Sequence, residues 1–282
     1  MAKSRGMKNK YKKLQKEDFF SSNARIILAA IILLGITYRI IFFHGVGASD
    51  DLAYAEYATH INQGIPADST LTLSTRLGVI YPTAVSYKIF GINDFSSVLF
   101  ILITSIGNII LAYFFGKFFA GNKVGLMSSF LMAIFPLEVI NGTGLLADIP
   151  SSFFMALGVY LFLKAEKYNC SSVHYFLSGI FIGIGYFIRE SAILILLFFA
   201  IYVVINRKIK KQYFLVALGF LVIFCLELLA FYKLTGDPFF KYSTVQKFLY
   251  EATKEHDFFG RLDFPKGTFH FPYIIIMESS LA

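Results

Sequence analysis

Seven stretches of this chain are dominated by apolar residues: Ala24–Phe43, Phe95–Phe115, Val124–Ile140, Ile149–Leu163, Tyr175–Ile188, Ser191–Ile205 and Tyr213–Tyr232. A helix standing upright in a bilayer needs about 20 apolar residues to span the hydrocarbon. The first, second and last stretches meet that length. The fourth to sixth are shorter, so their ends are soft or their polar ends lie inside protein. Between the first two stretches the pattern changes. The connection His44–Asp94 holds an amphipathic stretch, Asp51–Gln63, and an aromatic one, Val79–Phe90. Both are expected to lie along the membrane surface. The pattern thus predicts an all-α polytopic membrane protein with about seven transmembrane helices, plus amphipathic interfacial helices in the first external loop.

Composition agrees with this pattern. Of 282 residues, 56% are hydrophobic, 18% aromatic and only 16% charged, where soluble domains carry about 25% charged residues. The net charge of +8 is unevenly placed, and eight of the 26 Lys and Arg lie from Lys3 to Arg25. That asymmetry is an orientation signal with anionic headgroups as its contact, and it argues against nucleic acid as a partner. The first apolar run exceeds the roughly 7–15 residues of a signal-peptide core, so it reads as a retained helix.

Charge also orders the crossings. Lys117 and Lys123, Lys164 and Lys167, and Arg207 to Lys211 mark inside turns. The opposite connections before Tyr213 hold only Arg76, Lys88 and Arg189. A cytoplasmic N-terminus follows. Both flanks of Tyr175–Ile205 are basic, so the chain crosses twice between them, turning at Arg189-Glu190. The expected organisation is a basic cytoplasmic tail (1–23), a transmembrane module (24–232) with its external loop (44–94), and an external segment (233–282). That last segment turns at Gly236-Asp237-Pro238 and ends on Phe271–Met277, which resembles the start of an eighth helix.

Few residues carry candidate chemistry. Asp50-Asp51, in Gly47-Ala48-Ser49-Asp50-Asp51-Leu52-Ala53-Tyr54-Ala55-Glu56, follows the first apolar run directly. Ser49 as an N-cap with two acids in the first helical turn is the bland alternative. Against it, an ionisable pair at a membrane boundary is functional by default. Arg76 precedes Leu77-Gly78-Val79-Ile80-Tyr81-Pro82. It reads either as a snorkelling side chain or as a phosphate clamp, for which guanidinium geometry is suited. Arg189 either pairs locally with Glu190 or faces the same side as Arg76. Asp148, in Leu146-Ala147-Asp148-Ile149-Pro150, suits an N-cap before an early helical proline. Glu138 stands at the external end of the third stretch. Glu227, inside the seventh, is either protonated or paired across helices.

Other patterns say less. Asn141-Gly142-Thr143 matches a glycosylation acceptor, but so near the membrane that modification is not expected. Gly183 and Gly185 fit close helix packing. Cys170 and Cys225 are placed too differently for a disulfide. No Walker loop, dinucleotide fingerprint, Ser-His-Asp set or zincin helix occurs.

In order, these blocks resemble the GT-C superfamily of membrane glycosyltransferases, nearest to the protein O-mannosyltransferases and lipid A aminoarabinose transferases. The resemblance covers roughly Ile26 to Tyr232. It rests on Asp50 to Glu56, on Arg76 to Pro82 closing at Lys88-Ile89-Phe90-Gly91, and on Phe114 to Gly121. Ala133-Ile134-Phe135-Pro136, Leu146 to Pro150 and Gly185 to Glu190 complete it. The acid block looks like the family's Asp-Glu-x-x-Tyr-Ala motif, with Asp51 in place of the usual Glu. The resemblance implies transfer of a sugar from a polyprenyl (dolichyl) phosphate to a protein or lipid acceptor hydroxyl on the external face, with inversion. It makes Asp50 the general base and Asp51 its support, and gives Arg76 and Arg189 to the donor phosphate. Asp148, Glu138, Tyr54 and Tyr81 become supporting residues. No cofactor is expected to be required, although Asp50, Asp51 and Asp148 could gather around a divalent metal ion, as acids do in the oligosaccharyltransferase branch. Family members usually have eleven or more helices, so a transporter or flippase, or a shortened non-catalytic relative, stands as the alternative. A transporter should show inverted repeats and broken helices at mid-membrane, and neither is legible here.

Overall fold

The computed structural model describes residues 22–48, 50–65, 72–207 and 209–255. Among these residues the chain is helical, with no β-strand and one isolated backbone bridge between Gly45 and Gly144. Four helices are long and apolar enough to cross a membrane: α1 (Ala24–Ile41), α4 (Asp94–Ala120), α7 (Asp148–Tyr168) and α10 (Tyr213–Thr235). The rest are α2 (Asp50–Gln63), α3 (Leu77–Phe90), α5 (Asn122–Ile134), α6 (Pro136–Asn141), α8 (Ser172–Ile188), α9 (Ile195–Asn206) and α11 (Phe240–Glu255). Short 3₁₀ turns cover Thr72–Thr75 and Glu190–Leu194. The expected N-cap Ser49 and the segment Phe271–Met277 lie outside the described residues.

Helix boundaries follow local chemistry. Asn93 opens α4 with a reciprocal box: its Oδ1 accepts from the Ser96 amide at 2.9 Å, and Ser96 Oγ accepts from the Asn93 amide at 3.1 Å. The third apolar stretch is not one helix. Pro136 lacks an amide hydrogen and pushes Phe135 to extended backbone (φ −64°, ψ 118°), so α5 stops at Ile134 and α6 starts afresh. Asp148 does not cap α7; the N-cap position falls on Ala147, without a side-chain cap bond. The carboxylate is engaged across helices instead, as described below.

The bundle is a chain of close helix pairs: α5 on α4, α4 on α7, α7 on α8 and α8 on α10. Small residues permit the tightest crossing. A Cβ on Gly179 would collide with the Val216 carbonyl, and one on Gly219 with the Phe176 carbonyl, the small-residue contact that lets apolar helices touch backbone to backbone. Gly183 sits in the same seam against Ile223. By contrast α9 fully buries none of its residues; it packs on one side only, with Phe198, Phe199 and Tyr202 set edge-on against the buried Phe162 of α7.

Helices α2 and α3 lie across one end of this bundle. Tyr54, Tyr57, Val79, Ile80 and Tyr87 from these two pack with Val98 and Ile101 of α4, Leu145, Ile149 of α7 and Ile188 of α8 in one buried cluster. Gly78 is the point of closest approach, where a Cβ would meet the Ile188 backbone at 2.9–3.0 Å. That contact brings the start of α3 against the turn Arg189-Glu190.

A second buried assembly joins α1, α4 and α6. Arg39, 1% exposed, donates from Nε and Nη2 to Ser105 Oγ at 2.9 and 2.7 Å. Ser105 and Asn108 in turn donate to Glu138 Oε1 at 3.0 and 3.1 Å. Glu138 is therefore spent inside the bundle, as the counter-charge of Arg39 at 3.9 Å. The adjacent Thr143 is fully buried and hydrogen-bonded to the Val139 and Ile140 carbonyls, so the glycosylation pattern at Asn141 is locked in packed structure. Cys170 and Cys225 are free.

Candidate active site

The first turn of α2 divides its two acids. Asp51 is 6% exposed, and its Oδ2 accepts from the Gly47 amide at 3.2 Å and the Leu145 amide at 3.3 Å. One carboxylate thus ties the loop after α1 to the loop before α7, beside the bridge at Gly45 and Gly144. Asp50, one residue earlier, points elsewhere. Its side chain is about half exposed and lies 3.8 Å from Arg76 Nη1. The two acids are neighbours in sequence with separate tasks: Asp51 fixes the backbone that holds Asp50 at the surface.

Arg76 is the hub. It sits between the Thr72–Thr75 turn and α3, 20% exposed in its side chain. Its Nη1 donates to the Tyr54 hydroxyl, and its guanidinium also stands 5.9 Å from the Tyr54 ring centroid. Burial pushes the Tyr54 hydroxyl above its usual value, with Arg76 pulling the other way, so Tyr54 is a neutral partner that leaves the arginine its full charge. On the far side, Arg76 Nε is 3.9 Å from Glu190 Oε2.

The turn after α8 supplies the rest. Arg189 does not pair with its neighbour Glu190; it forms an ion pair with Asp148 at the start of α7. Adjacent residues in extended backbone point to opposite sides, and Arg189 is extended (φ −150°, ψ 128°). Glu190 turns instead towards Arg76 and towards Lys241 Nζ at 3.2 Å. Lys241, from α11 and 1% exposed, donates to Glu227 Oε1 at 2.6 Å, which answers the partner question for Glu227. Lys241 Nζ also lies 4.9 Å from the Tyr186 ring centroid, and the Tyr186 and Tyr242 hydroxyls share a 2.7 Å hydrogen bond. Together these contacts seat α11 on α8.

Beneath α3 lies an apolar cleft of about 710 Å³, within the size range of ligand sites. It starts at Leu77 and Gly78, next to Arg76 in sequence, and runs along Tyr81, Phe100 and Phe187 between α4, α8 and α10. Glu227 is its acidic lining residue, and Glu227 Oε2 is buried there without a hydrogen-bond partner. Burial likewise raises the Tyr81 hydroxyl above its usual value.

Of the residues singled out from the sequence, Asp50, Arg76 and Tyr54 therefore meet directly, with Tyr81 in the cleft below. Arg189 and Asp148 form their own pair at the same bundle end. Glu138 does not join them. Sequence reading passed over Arg39 and Lys241 and treated Glu190 only as a neighbour of Arg189. The signal for Lys241 was weak: a lysine three residues beyond a Gly-Asp-Pro turn, with its partners Glu190 and Glu227 far apart in the chain. Asp50, Asp51 and Asp148 do not gather, and no group of three or more His, Cys, Asp or Glu side chains suited to a metal ion occurs among the described residues.

Comparison with known proteins adds the last observation. The family model described as dolichyl-phosphate-mannose-protein mannosyltransferase matches residues 77–230, more than half of the chain. The match begins at α3 and ends within α10, so it includes Asp148, Arg189, Glu190 and Glu227; Arg76 lies directly ahead of it, and Asp50 and Asp51 lie outside it, at the start of α2. No curated protein and no solved structure gives a match.

Proposed function

This chain belongs to the dolichyl-phosphate-mannose-protein mannosyltransferase family, and from that premise we propose that it transfers a sugar from a polyprenyl (dolichyl) phosphate to an acceptor hydroxyl at the end of the bundle that carries Asp50. The observation that carries the reading is the placement of Arg76. It stands 3.8 Å from the half-exposed Asp50 and directly precedes Leu77 and Gly78, which line the apolar cleft. A lipid phosphate needs that combination: an apolar slot for its chain, a fixed cation for its head and a base within reach of the head.

The chemistry then balances simply. Asp50 takes the proton from the acceptor hydroxyl as its oxygen forms a bond to the anomeric carbon. The bond from that carbon to the phosphate oxygen breaks, and its electron pair leaves with the polyprenyl phosphate. Attack from the face opposite the phosphate inverts the anomeric carbon. General-base help of this kind contributes typically 10²–10⁴-fold, and the Arg76 charge stabilises the phosphate as it leaves. A phosphate departs readily, so no general acid is required of the protein. Arg189 serves the same anion once Asp148 shares it.

The accompanying topology has seven crossings, with the 3₁₀ turn at Glu190 and α9 making the sixth. The basic tail lies in the cytoplasm, α2 and α3 lie on the opposite surface, and the protein sits in the cell membrane. Positive-inside asymmetry supports this arrangement. The partners are the carrier-linked sugar, membrane lipids and a protein or lipid acceptor.

The test uses purified protein in lipid nanodiscs with a panel of polyprenyl-phosphate sugars, with and without chelator. Release of polyprenyl phosphate with appearance of an inverted glycoside is the expected result, and it should survive chelation. Absence of both transfer and hydrolysis across the panel would sink the reading.

A further inference from the structure

The charges around Arg76 are arranged so that the arginine is approached but not captured. Its two carboxylate neighbours, Asp50 and Glu190, stand at 3.8 and 3.9 Å, beyond the roughly 2.7–2.9 Å of a charge-assisted hydrogen bond. Its direct bond is to the neutral Tyr54 hydroxyl. Glu190 has a closer cation elsewhere: Lys241 Nζ lies 3.2 Å away. Lys241 is in turn anchored at 2.6 Å to Glu227 and rests over the Tyr186 ring. At 1% exposure it cannot reach a ligand itself.

We propose that Lys241 is a positioning residue: by holding Glu190 back, it keeps the Arg76 guanidinium available for an anionic headgroup. A glutamate released beside Arg76 would close the gap and form a bidentate pair, the preferred geometry of guanidinium and carboxylate. An incoming phosphate would then have to displace that internal anion. Lys241 also comes from α11, so the segment following α10 becomes part of the anion site without touching the anion. The proposal rests on the assignment of Arg76 to the donor phosphate.

The test is a double-mutant cycle read as the Kd of purified protein in nanodiscs for a short-chain polyprenyl phosphate. Glu227→Gln serves as the background, so that no buried carboxylate is left unpaired. In that background Lys241→Met is expected to weaken binding about tenfold, the size of a modest charge coupling at partly screened distance. Adding Glu190→Gln restores it to within about twofold, whereas Glu190→Gln with Lys241 intact changes Kd by less than about twofold. Lys241→Arg keeps near-normal binding. Lys241→Gln carries the same cycle if the methionine variant does not fold. Equal effects of Glu190→Gln with and without Lys241, or unchanged binding on losing Lys241 while Arg76→Gln binds weakly, overturn the proposal alone. Unchanged binding in Arg76→Gln overturns the phosphate assignment on which it stands.

Discussion

Asp51 and Glu138 illustrate how an acidic residue near a membrane boundary can be structural. Asp51 accepts two backbone amides from two loops, and its removal strips the partner from a buried donor at Leu145 and a part-buried one at Gly47. Asp51→Ala is expected to lower stability by about 1–3 kcal/mol, seen as a reduced melting temperature in detergent, with transfer reduced through misplacement of Asp50. Glu138 compensates a buried guanidinium, and truncating one member of such a pair costs about 3–5 kcal/mol. Glu138→Ala should therefore lower the melting temperature more than Asp51→Ala does; equal or smaller loss would contradict the assignment. Such roles were only partly legible in the sequence. Asp50 and Arg76 stood out because charges are scarce in this chain. Glu138 was grouped with them as a supporting residue, because nothing local reveals that Arg39, near the end of an apolar helix, already claims it. Arg189-Glu190 left two readings open, a local pair or a shared face with Arg76, and the extended backbone at Arg189 rules out the first by sending the two side chains to different partners.

Elements were more legible than their contacts. The amphipathic stretch Asp51–Gln63 and the aromatic one from Val79 emerge as α2 and α3 almost residue for residue. Apolar content found the long helices, because lipid-facing sequence needs no periodicity to be recognised. It overran Phe135-Pro136, since the cause of that break is the missing proline amide and not a change in hydropathy. The α8–α10 crossing was visible only as glycines. Its geometry predicts that Gly179→Val, which drives a side chain into the Val216 carbonyl, destabilises the protein by about 1–3 kcal/mol. Gly236→Ala should behave differently. There the residue sits in the left-handed region (φ +77°) with open space around it, so the cost is local and α8–α10 packing persists. Thermal scans of the two variants, paired with the accessibility of a cysteine introduced at Val216, separate these effects.

At the scale of the whole molecule, a helical bundle gathers charged side chains at one end from four separate chain segments: Asp50 of α2, Arg76 at the start of α3, Glu190 in the turn after α8 and Lys241 of α11. The proposed topology, which rests on positive-inside asymmetry, has that end outside the cytoplasm. In a variant lacking Cys170 and Cys225, Lys88→Cys should react with an impermeant maleimide in intact cells, and Lys123→Cys only after permeabilisation. The reverse pattern would invert the topology and place Asp50 inside. The proposed role of Asp50 as the base of a lipid-linked sugar transfer meets its most direct test in the transfer rate of Asp50→Asn. With the donor sugar found by the panel, at saturating donor and acceptor and with equal protein in the membrane, the variant should lose about 10²–10⁴-fold in rate while still binding polyprenyl phosphate. Transfer within a few-fold of the unaltered protein would contradict the account.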